Sequence, residues 1–220
     1  MNTVTIIGGD YGEILIRQQK VFDSLIAKKR RGESVSDADE LLMLVEHRHV
    51  YTLGRHGNPS NLLDSRWLAS RGIPLVNISR GGDITYHGPG QVVAYPVVDL
   101  QRRRLGVKAY VSLLEDAVIR TIAEYGIRGE RIDGASGVWI GKGTNAERKI
   151  CAIGISCSRF VSMHGLALNV STDLSYFSAI NPCGFTDRGV TSVSRELGRD
   201  VGFAECADSL RRHLEELLAV

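Results

Sequence analysis

Arg80-Gly81-Gly82-Asp83-Ile84-Thr85-Tyr86-His87-Gly88-Pro89-Gly90-Gln91 is the stretch around which the rest of the chain is organised. Four glycines and a proline in twelve residues cannot pack a core. Apolar runs flank it, Ile73 to Ile78 before and Val92 to Val98 after, and both read as buried strands. The glycine pair lets backbone approach another group closely or take positive φ. Arg80, Thr85, Tyr86 and His87 add donors around that backbone. Composition leaves two readings open here, a tight connection between strands or a loop that cradles a ligand.

Outward from this loop, helix and strand patterns alternate without a regular order. Thr3 to Gly8 is a β-rich run that ends in a Gly-Asp-Tyr-Gly turn. Ile14, Val21, Phe22, Leu25 and Ile26 recur at helical spacing and predict a helix from Tyr11 to Lys29. Lys28 to Glu40 is an exposed, charged connection, and Leu41 to Glu46 with Val50 to Leu53 read as paired strands. A polar loop from Gly54 to Pro59 precedes a helical segment, Asn61 to Ser70, and a strand, Ile73 to Ser79. Val92 to Leu100 leaves the glycine loop, with Pro96 suggesting an edge or a bulge. Val111, Leu114, Val118 and Ile122 mark a helix from Val107 to Tyr125, closed by Gly126. Gly137 to Ile140, Lys149 to Cys157 and Val161 to Val170 read as strands, the last two a hairpin. Ser175 to Gly189 is turn-rich, and Phe203, Ala207, Leu210, Leu214 and Leu217 make a final amphipathic helix. The pattern is that of an α+β protein with a mixed sheet.

A chain of 220 residues, 43% hydrophobic and 24% charged, has the composition of a soluble globular protein with a real core. A net charge of +2 gives no argument for nucleic acid, and no apolar run approaches the ~20 residues of a membrane span. The N-terminus lacks the basic start and long apolar region of a signal peptide, so a cytoplasmic protein is expected. The four cysteines show no metal-ligand spacing and are expected as free thiols. Cys151, Cys157 and Cys206 fall on core patterns, whereas Cys183 sits between Pro182 and Gly184 and is the one candidate for chemistry. His47 and His49 alternate around Arg48, but no third ligand is near and no metal site is expected. Gly141-Lys142-Gly143-Thr144 departs from a P-loop at its last residue and at its first glycine, and no dinucleotide fingerprint is present.

The wording of the glycine loop is more specific than its composition. Arg-Gly-Gly-Asp-x-Thr-x-His-Gly-Pro-Gly-Gln resembles the signature of the lipoyl(octanoyl) transferase family. Lys149-Ile150-Cys151-Ala152-Ile153-Gly154, His164-Gly165-Leu166-Ala167-Leu168-Asn169 and Asn181-Pro182-Cys183-Gly184 are similar to the same family, in the same order. The strong resemblance runs from Thr52 to Gly184. It implies one catalytic domain over residues 1–220, with the mixed central β-sheet and surrounding helices of the biotin and lipoate protein ligase catalytic domain.

The resemblance also implies a reaction. An octanoyl group passes from octanoyl-acyl carrier protein to a lysine of a lipoyl domain, in E2 subunits of 2-oxoacid dehydrogenases or in the glycine cleavage H protein. Cys183 is implied as the nucleophile and Lys149 as the group that activates it. A thiol of ordinary pKa ~8.5 is mostly protonated at neutral pH, and a neighbouring ammonium raises its thiolate fraction. Arg80, Gly81, Gly82, Asp83, Ile84, Thr85, Tyr86 and His87 are implied to line the acyl site, with backbone N–H groups around Gly81 and Gly82 near the carbonyl. Ala152, Ile153, Gly154, Gly165, Leu166 and Ala167 form its other walls, their small side chains leaving room for a chain. His87 either polarises the carbonyl or ties the loop to its neighbours. No cofactor, metal, nucleic acid or membrane enters, and a monomer is expected. Basic clusters at Lys28 to Arg31 and Arg102 to Arg104 are candidates for steering an acidic carrier. The rivals are a lipoate–protein ligase using ATP, disfavoured by Cys183 and by the absence of further sequence after Val220, and a non-catalytic acyl- or carrier-binding module.

Overall fold

The computed structural model describes residues 1–181 and 189–219. Seven strands lie side by side in the order β1 (Asn2–Gly9), β2 (Leu41–His47), β6 (Gln91–Val97), β10 (Val161–Asn169), β9 (Arg148–Ser158), β8 (Ala135–Ile140) and β7 (Glu130–Ile132). A two-residue strand, β11 (Gly189–Val190), pairs parallel to the start of β9. The β1–β2 pair is also parallel and the other pairs are antiparallel, so the sheet is mixed. A second sheet holds β4 (Leu75–Asn77), β3 (Val50–Leu53) and β5 (Ile84–His87) in that order.

Helices cover both faces of the large sheet, which is why its central strands are apolar without interruption. Leu41, Met43 and Val45 of β2, with Val93, Tyr95 and Val97 of β6, pack toward α1 (Tyr11–Arg30) through Ile14, Phe22, Leu25 and Ile26. The alternate residues Leu42, Leu44, Val92 and Ala94 pack on the other side against α3 (Val107–Ala123) and α5 (Phe203–Leu217). Asp10 caps α1 by accepting from the Glu13 N–H at 3.1 Å, and a basic last turn suits the helix dipole. Gly126 takes φ +76° just after α3, a conformation that favours glycine.

Three expectations from sequence are corrected by the pairing. Leu41–His47 and Val50–Leu53 do not pair with each other, because β1 and β6 occupy both edges of β2 while β4 and β5 occupy both edges of β3. The run from Ile73 to Ile78 is not a buried strand; only Leu75–Asn77 is extended, on the edge of the small sheet, and Leu75 is 38% exposed. Pro96 lies in a central strand and not at an edge. The β6–β10 ladder stops at Ala94 and Leu166, and backbone bonding resumes where the Ser162 N–H meets Val98 O at 2.9 Å. In the gap the Ser162 hydroxyl donates to Pro96 O at 2.9 Å, so the missing proline N–H breaks no ladder bond.

The glycine loop is itself partly strand. Ile84 and Tyr86 of β5 are fully buried with Tyr51, Leu68 and Phe177 in a separate core beneath α2 (Ser65–Ser70). The expectation that residues 80–91 contribute nothing to a core is therefore overturned, because alternate side chains of an extended segment reach opposite faces.

Both basic clusters are largely neutralised from within the fold. Lys28 pairs with Asp39 at 2.5 Å, Lys29 with Asp99 at 2.5 Å and Arg102 with Asp37 at 3.0 Å. Arg103 grips the fully buried Glu40 with two bonds of 2.7 Å. Breaking a buried pair strands the surviving charge, at a cost of about 3 kcal/mol. Arg103→Met should lower stability by about that amount in urea unfolding, and adding Glu40→Leu should recover most of it. A double variant as unstable as the single one would show that Arg103 acts through packing and not through Glu40.

Candidate active site

Between the α1-side face of the large sheet and the small sheet lies a cleft of about 450 Å³, within the range of small-ligand pockets. Ala152 and Gly154 of β9, Gly165 and Ala167 of β10, and Val93 and Tyr95 of β6 line one side. Arg80, Gly81, Gly82, Asp83, Ile84, Thr85 and His87 line the other. Ile153, Leu166 and Lys149 also border it. Two expected residues stand apart. Tyr86 does not line the cleft; its hydroxyl meets His49 Nδ1 at 2.8 Å and its ring stacks on Tyr176, because β5 alternation turns it into the small core. Cys183 lies outside the described residues.

The roles expected of the glycines change. The Gly81 N–H donates to Ile155 O at 2.9 Å and so is committed to the sheet, not to an acyl carbonyl. A Cβ on Gly154 would sit 2.7 Å from Gly81 O, and one on Gly165 would run into Ala94 O. These two are glycine because other backbone already fills the space, not because an acyl chain does. Gly82 has φ +88°, which disfavours any side chain there. Arg80 is nearly buried and donates to Thr52 O at 2.8 Å and to its hydroxyl at 2.9 Å. Asp83 accepts from the Asn58 N–H at 3.0 Å and from the Asn61 amide, holding the loop before α2.

Lys149 opens the wall at the other end. It is the cross-strand partner of Trp139, at a register shift between β8 and β9. Its ammonium lies 4.6 Å from the centre of the Trp139 ring and donates to Ser136 O at 3.3 Å. Trp139 is buried, its indole N–H fixed on Ala135 O at 2.9 Å. The described chain breaks after Asn181 and resumes at β11, where Val190 pairs with Lys149 and both line the cleft.

Sequence reasoning missed the aromatic and polar groups behind the loop. Tyr11 stacks on His87 at 6.1 Å, and His47 meets the Tyr95 hydroxyl at 2.8 Å and Gly9 O at 3.3 Å. His87 Nδ1 bonds Gln91 Oε1 at 2.8 Å, Gln91 donates to Asn169 Oδ1 at 2.9 Å, and Asn169 donates to Thr191 O at 3.0 Å. This chain ties the loop to β6, β10 and the segment after β11. Tyr95 and Trp139 sit in apolar runs that read as plain core, and Gln91 and Asn169 end quoted motifs without a signal of their own. Burial holds His87 down to about 3, and His47 and His164 to about 4, so all three are neutral at physiological pH. Burial likewise pushes the Tyr11 phenol up to about 12.

Residues 18–215 match the sequence model of the lipoyl protein ligase A/B catalytic domain. The chain belongs to that family. The octanoyltransferase of Bacteroides fragilis is 52% identical over 205 residues, covering 93% of this chain and 91% of its own. That of Bacteroides thetaiotaomicron is 50% identical over 209 residues, covering 94% and 91%. With this kinship, the protein is an enzyme of the acyltransferase class. The fold is that of the lipoate and biotin ligases. A bipartite lipoate protein ligase from Thermoplasma acidophilum superposes with a TM-score of 0.70 at 19% identity, covering 99% of this chain and 84% of that one. LipL1 of Plasmodium falciparum, in complex with lipoate, gives 0.72 at 10% identity, covering 98% and 62%.

Burial of the three histidines makes the fold sensitive to acid. An unfolded histidine titrates near 6.5, and these three titrate lower when folded, so the unfolded chain binds protons first. Their contribution is whole above pH ~6.5 and is lost as pH falls toward ~4, by up to about 1.4 kcal/mol per unit for each group. Urea midpoints should therefore fall steadily from pH 6.5 to 4.5, and His87→Gln should flatten that slope. An unchanged midpoint over this range would show the histidines to be solvated.

Proposed function

We propose that the protein transfers an octanoyl group from octanoyl-acyl carrier protein to a lysine of a lipoyl domain, through a thioester on Cys183. The acceptors are the lipoyl domains of 2-oxoacid dehydrogenase E2 subunits and the glycine cleavage H protein, and the enzyme works as a cytoplasmic monomer comprising one catalytic domain. The observation that carries the reading is Lys149: its amine sits in a cleft wall, held between a tryptophan face and a carbonyl, beside the strand that resumes the chain after the Cys183 segment. The near 50% identity to octanoyltransferases supports the acyl group.

In the first step the Cys183 thiolate attacks the carrier thioester, an S–C bond forms to Cys183, and the bond to the carrier sulfur breaks. Lys149 takes the Cys183 proton and returns it to the departing carrier thiolate. In the second step the acceptor lysine's neutral amine attacks, a C–N bond replaces the Cys183 S–C bond, and the proton lost by nitrogen passes to the Cys183 sulfur. An amide is far more stable than a thioester, so transfer needs no ATP. The tail lies along the cleft between the strands and the Arg80 loop, where ~0.8 kcal/mol per buried CH₂ contributes roughly 5 kcal/mol.

The other cysteines are poor rivals. Burial pushes the Cys206 thiol up to about 12 and that of Cys151 higher still, and burial raises Cys157 as well. All three are free thiols held toward the protonated, unreactive form.

Incubation with octanoyl carrier protein should add one hydroxylamine-labile octanoyl group, mapped by peptide mass to Cys183 and absent from Cys183→Ser. Label on Cys151, Cys157 or Cys206 would contradict the assignment, and amide formation from free acid and ATP would favour a ligase. Lys149→Arg keeps a charge but cannot release a proton, so acylation should fall about 100-fold or more. Parental activity in that variant would remove the proton-transfer role.

A further inference from the structure

Behind Lys149 stands a charged group that the transfer reaction does not use directly. Glu115 of α3 is buried, and its Oε1 accepts the Gly137 N–H at 3.0 Å. Gly137 N–H and Ser136 C=O belong to one trans peptide, so they point in opposite directions. The carbonyl end of that peptide is the acceptor of the Lys149 ammonium, at 3.3 Å. Carboxylate, peptide and ammonium thus lie in series, each polarising the next. Gly137 has φ +120°, and a Cβ there would meet Cys151 O and lie 3.5 Å from Lys149 Cε. Glycine at this position lets the peptide turn its two ends toward two different charges. The Trp139 ring holds the ammonium from a second direction.

We propose that Glu115 is a positioning residue, which orients and polarises the Ser136–Gly137 peptide so that its carbonyl holds the Lys149 amine at the cleft. The proposal rests on the reading of Lys149 as the activating amine. Glu115 is itself set by Arg131, whose Nε donates to Oε2 at 3.0 Å and which also pairs with Asp116. Among the described residues, the other titratable or charged side chains next to Lys149 include Cys151 of β9 and Arg148, which Glu196 of α4 (Val193–Leu197) grips. Of the carboxylates, Glu115 is the one joined to Lys149 through a shared peptide among the described residues.

The test is ¹³C NMR of the Lys149 ε-carbon, assigned by its loss in Lys149→Arg and titrated in the parent and in Glu115→Gln. Glutamine keeps an acceptor oxygen and the shape but removes the charge. The Lys149 titration should move down by about half a unit or more, and the Lys149 limb of the pH profile for Cys183 acylation should move with it. Loss of packing alone would lower the melting temperature and leave both titrations in place; that result would overturn the proposal. Should Glu115→Gln not fold, Arg131→Gln serves instead: it removes the counter-charge from Glu115, so Lys149 should titrate higher, and an unmoved titration would again overturn it. If Lys149→Arg were fully active while the titrations still shifted, the role of Lys149 in transfer would fall and the coupling would stand. The opposite pair of results would remove the coupling alone.

Discussion

The cleft exists because the backbone of Arg80 to Gly82 lies hard against Gly54, just past the end of β3, and against β9 of the large sheet. On the small-sheet side Gly54 meets Gly82 O, where a Cβ could not fit. On the large-sheet side Gly154 faces Gly81 O, and the Gly81 N–H bonds Ile155 O. The Arg80 guanidinium, buried with its charge, is bonded to Thr52 and to Gly81 O. A buried charge without such partners costs several kcal/mol, so these bonds hold as a set and the two sheets are locked at one separation. The cleft is the space left where the locked backbones diverge, toward Ala152, Ala167 and Lys149.

Periodicity in the sequence reports faces, and there it was a good guide. The unbroken apolar runs Leu41–Val45 and Val92–Val97, the hairpin of β9 and β10, and the spacing of Ile14, Phe22 and Leu25 all translate into layers. Edges left no such trace. Nothing in Leu41–His47 says that its neighbours are Asn2–Gly9 and Gln91–Val97 instead of Val50–Leu53, since pairing depends on contacts between segments far apart. Glycine was ambiguous for a related reason. The same residue serves a ligand or a second backbone, and only the position of Ala94 O beside Gly165 decides between them. Of the site, the motif residues were legible through family resemblance. Glu115, Trp139 and Tyr95 were not, because each sits in a helix or strand pattern that core packing explains fully.

Electrostatically the two ends of the cleft differ. Around Arg80 the buried His87 and His164 are neutral and Tyr11 is protonated, so none of these three adds a charge beside the clamp. Such a wall suits the alkyl chain of the proposed substrate. At the Lys149 end, an ammonium, a carbonyl and an aromatic face converge beside the point where β11 returns the chain to the sheet. The proposed octanoyl chain, with its reacting carbonyl beside the amine, matches this division.

In the proposed path acyl transfer runs in two separate steps, with the enzyme carrying the group between them. Isotope exchange distinguishes this path from direct transfer between the two substrates. Octanoyl carrier protein is mixed with isotopically labelled free carrier and enzyme, with no lipoyl domain present. A two-step path predicts that label enters the octanoylated carrier pool at a rate matching the first step, and that Cys183→Ser abolishes it. Exchange that appears only when lipoyl domain is added would contradict the account and require both substrates to meet on the enzyme at once.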